Sequence, residues 1–220
     1  MTRVAVMGGE RRELVTPIGL RLIDGFTGKD PIGRVGVVVD REEPAGVWTE
    51  LTDVKPVRSA SGIIACPQLD RVADVAAAPA RRYRLRVTAE FYRPFYDPMK
   101  NGVEFDGFAY SDENVPAGYA QQVAQLILLP SPAYPFPAHV AVLRGVVKFG
   151  STPVADAVIS EGGRETALAD ERGEFALPLR WVAPNAATPI DAEDRWTGRT
   201  GTIVILIPMA LGVNQTITIT

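Results

Sequence analysis

The sequence predicts a mainly β protein, built as two antiparallel β-sandwich domains joined by an extended Pro-rich segment. Three observations carry this. Glycine (20) and proline (18) are scattered through the 220 residues, a distribution that suits short strands with frequent turns and disfavours long helices. From Leu143 to Leu179, short apolar runs alternate with turn signals, a spacing that favours antiparallel hairpins over a parallel α/β sheet. The punctuation of that stretch also returns, weakly in identity, in the first half of the chain, as an internal repeat would.

The first domain is expected over residues 1–96. Its strand Leu20 to Ile23 runs through Thr27-Gly28-Lys29-Asp30-Pro31 into a second strand, Val35 to Val39. A Ser59 to Gly62 turn precedes Ile63 to Cys66. From Tyr83 to Phe91 the residues alternate, which puts Tyr83, Leu85, Val87 and Ala89 on one face and turns Arg84, Arg86 and Thr88 towards water. One buried face and one wet face is the mark of an antiparallel sheet in a sandwich.

Residues 97–139 read as the connecting segment. Val123 to Leu129 is expected as a short strand, with a short helix over Gly118 to Leu129 as the alternative. Ser131 to Pro137 (SPAYPFP) is expected to be a stiff connector, because each proline drives its predecessor towards β or polyproline II geometry. The sharper alternative is a recognition strip docked on a neighbouring subunit.

The second domain, residues 140–220, opens with the strand Leu143 to Phe149. The Gly150 to Pro153 reversal follows, with glycine supplying positive φ and proline presetting its own. Val154 to Ser160, Glu174 to Leu179, Thr202 to Ile207 and Thr216 to Thr220 complete its strands. The last of these alternates Thr with Ile and is expected to be an edge strand able to pair with another chain.

The bulk numbers bound the partners. Hydrophobic residues make up 46% and charged residues 22%, with a net charge of −3. No basic face is implied, so nucleic acid is not an expected partner. The single cysteine, Cys66, excludes an internal disulfide and fits a cytoplasmic protein, or one assembled in the cytoplasm into a particle. No segment reaches the ~18 apolar residues of a spanning helix; Ile203 to Val213 is broken by Pro208 and Gly212. The N-terminus lacks the apolar core of a signal peptide.

Residues 140–220 resemble a carboxypeptidase regulatory-like, or transthyretin-like, β-sandwich. The residues carrying the likeness are Gly145-Val146-Val147, Pro153 to Val158, and Thr166 to Asp170 followed by Gly173-Glu174-Phe175. The resemblance implies an accessory fold without peptidase machinery, and by extension two such sandwiches in this chain. The Thr-x-Thr-Asp run of that family reads Thr166-Ala167-Leu168-Ala169-Asp170 here. More loosely, Arg21 to Gly28 together with Leu129 to Pro137 is similar to structural components of phage tails and phage-tail-like contractile injection particles. That likeness implies a structural subunit.

Chemistry is sparse. His139 is the only histidine and has no nucleophile signature around it. One His and one Cys cannot fill a tetrahedral zinc shell. Cys66 reads as a buried structural thiol. Asp97 to Asp106 (DPMKNGVEFD) matches a calcium loop at Asp97, Asn101 and Gly102, but Met99 and Phe108 stand where ligands are required. There is no GxxxxGK[ST] loop, and Gly33 with Gly36 is an incomplete dinucleotide fingerprint. No catalytic, metal or cofactor site is therefore expected, and the chain is expected not to be an enzyme. The residues expected to meet partner subunits, which could include further copies of the chain itself, are Phe91, Tyr92, Phe95, Tyr96, Tyr134, Phe136, Ile217 and Ile219. Adjacent strand residues point to opposite faces, so Phe91 and Tyr92 cannot both enter one core. The alternative function is a carbohydrate- or surface-binding module, which requires Trp and Tyr exposed on one face.

Overall fold

The computed structural model describes residues 15–44, 46–97, 100–111 and 123–220. The chain is mainly β. Its strands are β1 (Gly19–Asp24), β2 (Val35–Glu43), β3 (Val47–Glu50), β4 (Val57–Arg58), β5 (Ile63–Ala65), β6 (Arg82–Ala89), β7 (Tyr92–Pro94), β8 (Val103–Asp106) and β9 (Val123–Pro130). They continue as β10 (Val142–Phe149), β11 (Thr152–Pro153), β12 (Val158–Glu161), β13 (Glu165–Leu168), β14 (Glu174–Pro178), β15 (Ala187–Glu193), β16 (Thr200–Leu206) and β17 (Gln215–Thr218). A single 3-10 turn, Met209–Gly212, is the one helical element among the described residues. No described helix is long and apolar enough to cross a membrane.

The chain divides into two compact units that interleave along the sequence. One comprises Met1–Ile23, Val35–Thr88 and Lys100–Leu126; the other comprises Asp24–Arg34, Ala89–Met99 and Ile127–Thr220. The segments expected from sequence, 1–96, 97–139 and 140–220, follow one another instead.

In the first unit, β5 pairs antiparallel with β1 and with β4, β2 pairs with β3, and β6 pairs with β8. The alternation of β6 works as expected at Tyr83, Leu85 and Val87, which are buried with Leu20, Leu22, Val39 and Phe105. Arg84 and Arg86 do not simply face water. Both reach Asp40, which is 1% exposed.

In the second unit, β7 pairs with the end of β9, matching Tyr92 with Pro130 and Pro94 with Leu128. Two four-stranded sheets follow. In the first, β10 is flanked by β11, β14 and β17; in the second the order is β13-β12-β15-β16. Leu143, Val147, Phe175, Leu177, Ile217 and Ile219 from the first sheet share one core with Ile159, Ala167, Ile190, Ala192 and Ile205 from the second. The Gly150 reversal has the positive φ its residue type offers, +59°. Two glycines let backbones meet: a Cβ on Gly145 would reach the Phe175 ring at 2.9 Å, and one on Gly201 would strike Thr218 of β17. The final strand is tied down inside this chain. β17 runs parallel to β10, matching Val147 with Ile217, and Ile217 and Ile219 are 0% and 1% exposed.

Candidate functional site

The most elaborate polar constellation lies in the second unit and begins with a turn. In Asp24-Gly25-Phe26-Thr27-Gly28-Lys29 the chain reverses: Gly28 N–H donates to Asp24 O and Asp24 N–H to Lys29 O, both at 2.8 Å. The closure requires Gly28 at φ +70°, a region open to glycine. Asp24 Oδ1 accepts from Phe26 N–H at 2.8 Å, and Oδ2 accepts from the Thr27 hydroxyl at 2.8 Å. This is a self-capped Asx turn.

What is unusual is the cover. Asp24 Oδ2 also accepts from the Tyr134 hydroxyl at 2.9 Å and the Tyr92 hydroxyl at 3.3 Å. Tyr92 in turn accepts from Ile32 N–H at 3.0 Å. The rings pack edge-on: Phe26 lies 5.7 Å from Tyr134 and 5.3 Å from Phe136, and Tyr92 lies 5.3 Å from Tyr134. Burial first, and then the Asp24 hydrogen bond, push the Tyr134 hydroxyl well above its ordinary pKa. Arg180 closes the cluster. Its guanidinium sits 4.6 Å over the Phe26 ring, donates to Phe26 O at 2.7 Å, and grips Glu165 through two bonds of 2.6 and 3.0 Å.

The same turn occurs a second time in this unit. Asp194-Arg195-Trp196-Thr197-Gly198-Arg199 repeats the pattern Asp-x-aromatic-Thr-Gly-basic. Gly198 N–H donates to Asp194 O at 2.8 Å and Asp194 N–H to Arg199 O at 2.9 Å. Asp194 accepts from Trp196 N–H at 2.9 Å and from the Thr197 hydroxyl at 2.6 Å. Gly198 holds φ +71°. Burial alone would raise the Asp194 carboxyl, but the Thr197 hydroxyl and the turn N–H groups outweigh it and hold the pKa below its usual value. The repeat was legible as two copies of one hexapeptide pattern, and sequence reasoning missed it.

In the first unit two smaller clusters are structural in form. Asp40 receives Arg84 and Arg86 at 2.7 Å each, and the Arg84 guanidinium lies 4.6 Å over Trp48. Burial would raise the Asp40 carboxyl; the hydrogen bonds from Arg86 and Arg84 reverse that and lower it. Tyr83 donates a short hydrogen bond to Asp70, which Arg81 also meets at 3.2 Å. Cys66 is 0% exposed, and burial pushes its thiol up to about 12. That is the opposite of what an activated nucleophile needs.

The residues expected to meet partners divide. Tyr92 (3%), Tyr134 (5%), Ile217 (0%) and Ile219 (1%) are buried within the chain. Phe91, Phe95, Tyr96 and Phe136 are half-buried, and the Phe95 ring carries the Arg195 guanidinium at 4.9 Å. The SPAYPFP segment is held by its own unit, with Ser131 N–H donating to Phe91 O at 2.9 Å and Tyr134 seated on Asp24. His139 is exposed. Among the described residues no group of three or more His, Cys, Asp and Glu could hold a metal ion. Met99, of the calcium-loop comparison, lies outside the described residues.

Among the described residues each unit has an open groove. In the first, Arg41, Arg81, Arg82, Glu42 and Asp106 line about 750 Å³. In the second, Arg144, Lys148, Arg172 and Glu174 line about 500 Å³ on the outer face of β10. In each groove cations and carboxylates are mixed.

No protein-family model matches the chain, and no curated protein matches it. Among solved structures, a C-terminal fragment of the pilus adhesin SpaC from Lactobacillus rhamnosus GG is similar over 91% of this chain and 86% of that one, at 13% identity and a TM-score of 0.24. At that score the likeness carries no argument about this chain.

Proposed function

We propose that the protein is a non-enzymatic structural or adaptor subunit of a protein assembly, built from transthyretin-like β-sandwich modules and belonging to a phage-tail-like contractile particle. One observation carries the reading. The polar clusters are closed within the chain: Asp24 Oδ2 is filled by two tyrosines and a threonine, Glu165 by Arg180, and Asp40 by two arginines. Groups satisfied in this way stiffen a module. Among the described residues, carboxylates held in this way are not free to act as a base for a nucleophile. Function then rests on surfaces. The test is recovery of the tagged protein from its native cells: a large, defined complex with stoichiometric partners is expected, and a lone monomer that turns over a small molecule overturns the reading.

A second reading has its own support. Trp181 and Trp196 are 62% and 51% exposed, as a glycan platform requires. Against it, Tyr83, Tyr92, Tyr110 and Tyr134 are all buried. Glycan binding by the isolated protein, abolished by Trp196→Ala, would favour this reading over the first.

A further inference from the structure

Sheet edges are hazards that folds blunt with short strands, prolines, charges or covering segments, and three edges of the second unit are blunted. β11 is two residues long and ends in Pro153. β17 is held at its end, where Thr220 N–H donates to Thr200 O at 3.1 Å. β13 is four residues long and is turned onto β14 through Asp170 N–H and Glu174 O at 2.8 Å.

β16 is covered only at its first residues, where Thr220 N–H reaches Thr200 O and Gly201 meets Thr218. It is the terminal strand of its sheet. It pairs with β15 through seven unbroken positions, so it carries no bulge. Its sequence, Thr200 to Leu206, contains neither charge nor proline. Beyond Thr200, no described strand pairs with its outer side. The adjoining surface is apolar as well. Val204 is 68% exposed and Leu206 47%, followed by Met209 at 78% and Val213 at 62%. Across the ladder, exposed Pro189 and Ala187 stand opposite Val204 and Leu206.

We propose that β16 pairs antiparallel with β16 of a second copy of this chain, joining two four-stranded sheets about a twofold axis. Charge and symmetry select that occupant. An uncharged strip is its own complement, and a twofold contact must offer the same strip from both sides. The nearest acids, Asp191 and Glu193, lie on β15 opposite Thr202 and Thr200. Antiparallel pairing sets this acidic end against the apolar Leu206 end of the other copy; parallel pairing would bring like charges together. The adjoining Val204 and Leu206 surfaces are buried by the same contact.

This interface rests on the subunit reading, and the experiment separates the two. Light scattering after size-exclusion chromatography of the full chain is expected to give twice the mass of one chain. The double variant Val204→Lys, Leu206→Lys is expected to give the single mass with an unchanged far-ultraviolet circular dichroism spectrum, since both side chains are exposed in the single chain, and to lose any rise of melting temperature with concentration. Hydrogen exchange at Thr202 to Leu206 is expected to slow as concentration rises. A wild-type protein that stays monomeric overturns the paired edge. So does a dimer that keeps its mass in the double variant, or one whose β16 amides exchange as fast as in the monomer. If the monomeric wild type is nevertheless recovered in a large complex and the double variant is lost from it, the edge receives another subunit's strand: this inference fails and the subunit reading stands.

Discussion

The turns at Asp24 and Asp194 are built from one hexapeptide pattern and one set of local hydrogen bonds, yet they occupy different situations. The Asp24 turn is roofed by Tyr92, Tyr134, Phe136 and Arg180, and its carboxylate is 1% exposed. The Asp194 carboxylate is capped only from within its own turn, while the turn's Arg195 lies over Phe95 and its Arg199 over Phe149; Asp194 is 7% exposed and Trp196 51% exposed. The local motif therefore sets the shape of the reversal, while residues distant in sequence decide whether it becomes a buried brace or a displayed tip. A turn used as a brace cannot be altered cheaply; one used as a tip can.

The largest expected difference is between Asp24→Ala and Asp194→Ala. Removing Asp24 strands two buried tyrosine hydroxyls, each at about 1–3 kcal/mol, and breaks the turn bonds as well, so a loss above about 3 kcal/mol is expected. Removing Asp194 breaks only local bonds and is expected to cost about 1–2 kcal/mol. Urea unfolding of both variants measures the gap; equal losses would mean that the tyrosine roof contributes nothing.

Tyr134→Phe isolates the roof from the turn. It keeps the ring contacts at 4.7 to 5.7 Å with Phe136, Tyr92 and Phe26 and removes one donor to Asp24. About 1–2 kcal/mol is expected to be lost. At the other turn the donors to the Asp194 carboxylate are the turn's own Trp196 N–H and Thr197 hydroxyl, which is the difference between them.

The contrast explains what the sequence could disclose. Strand periodicity is local, so the β10, β14 and β6 segments were readable from their apolar pattern, whereas Val123 to Leu129 was open to a strand or a helix and forms the strand β9. The Thr27-Gly28 turn was visible for the same reason. The roof was not visible, because Asp24, Tyr92 and Tyr134 are far apart in the chain and nothing in SPAYPFP states that its tyrosine ends on an aspartate. Thr216 to Thr220 is an edge strand as expected, pairing with β10 alone, but its packing shows the same limit. Thr/Ile alternation reveals one apolar face, but not that Ile217 and Ile219 fill a core shared by two sheets. The edge left open past its first residues is β16, whose outward Val204 and Leu206 interleave with inward Ile203 and Ile205 in a run without polar alternation.

Acid sharpens the comparison at the second turn. The Asp194 carboxyl is held below its usual pKa in the folded chain. The stability it contributes is therefore complete above the unfolded value of ~3.9 and is lost as pH falls through the folded pKa. Asp194→Asn removes that term. The stability gap between the wild type and this variant, read as a shift in the urea midpoint, is expected to be widest near neutrality and to close in strong acid. A gap that is constant across this range would show that the turn does not depend on the charge.

Trp196→Ala is expected to have the smallest effect on folding. The group that caps Asp194 is the backbone N–H of Trp196, which alanine retains, and half of the indole already faces water. A change within about 0.5 kcal/mol is expected in thermal or urea unfolding, as at other exposed positions. An aromatic side chain of that size, displayed on a turn that does not need it, is available for contact with something else, whether a neighbouring subunit or a sugar. Loss of binding or of incorporation in a variant that melts like the wild type would locate that contact on the tip of the second turn. A fall of several kcal/mol would instead show that Trp196 braces its turn as Phe26 does, and the distinction between the two turns would be lost.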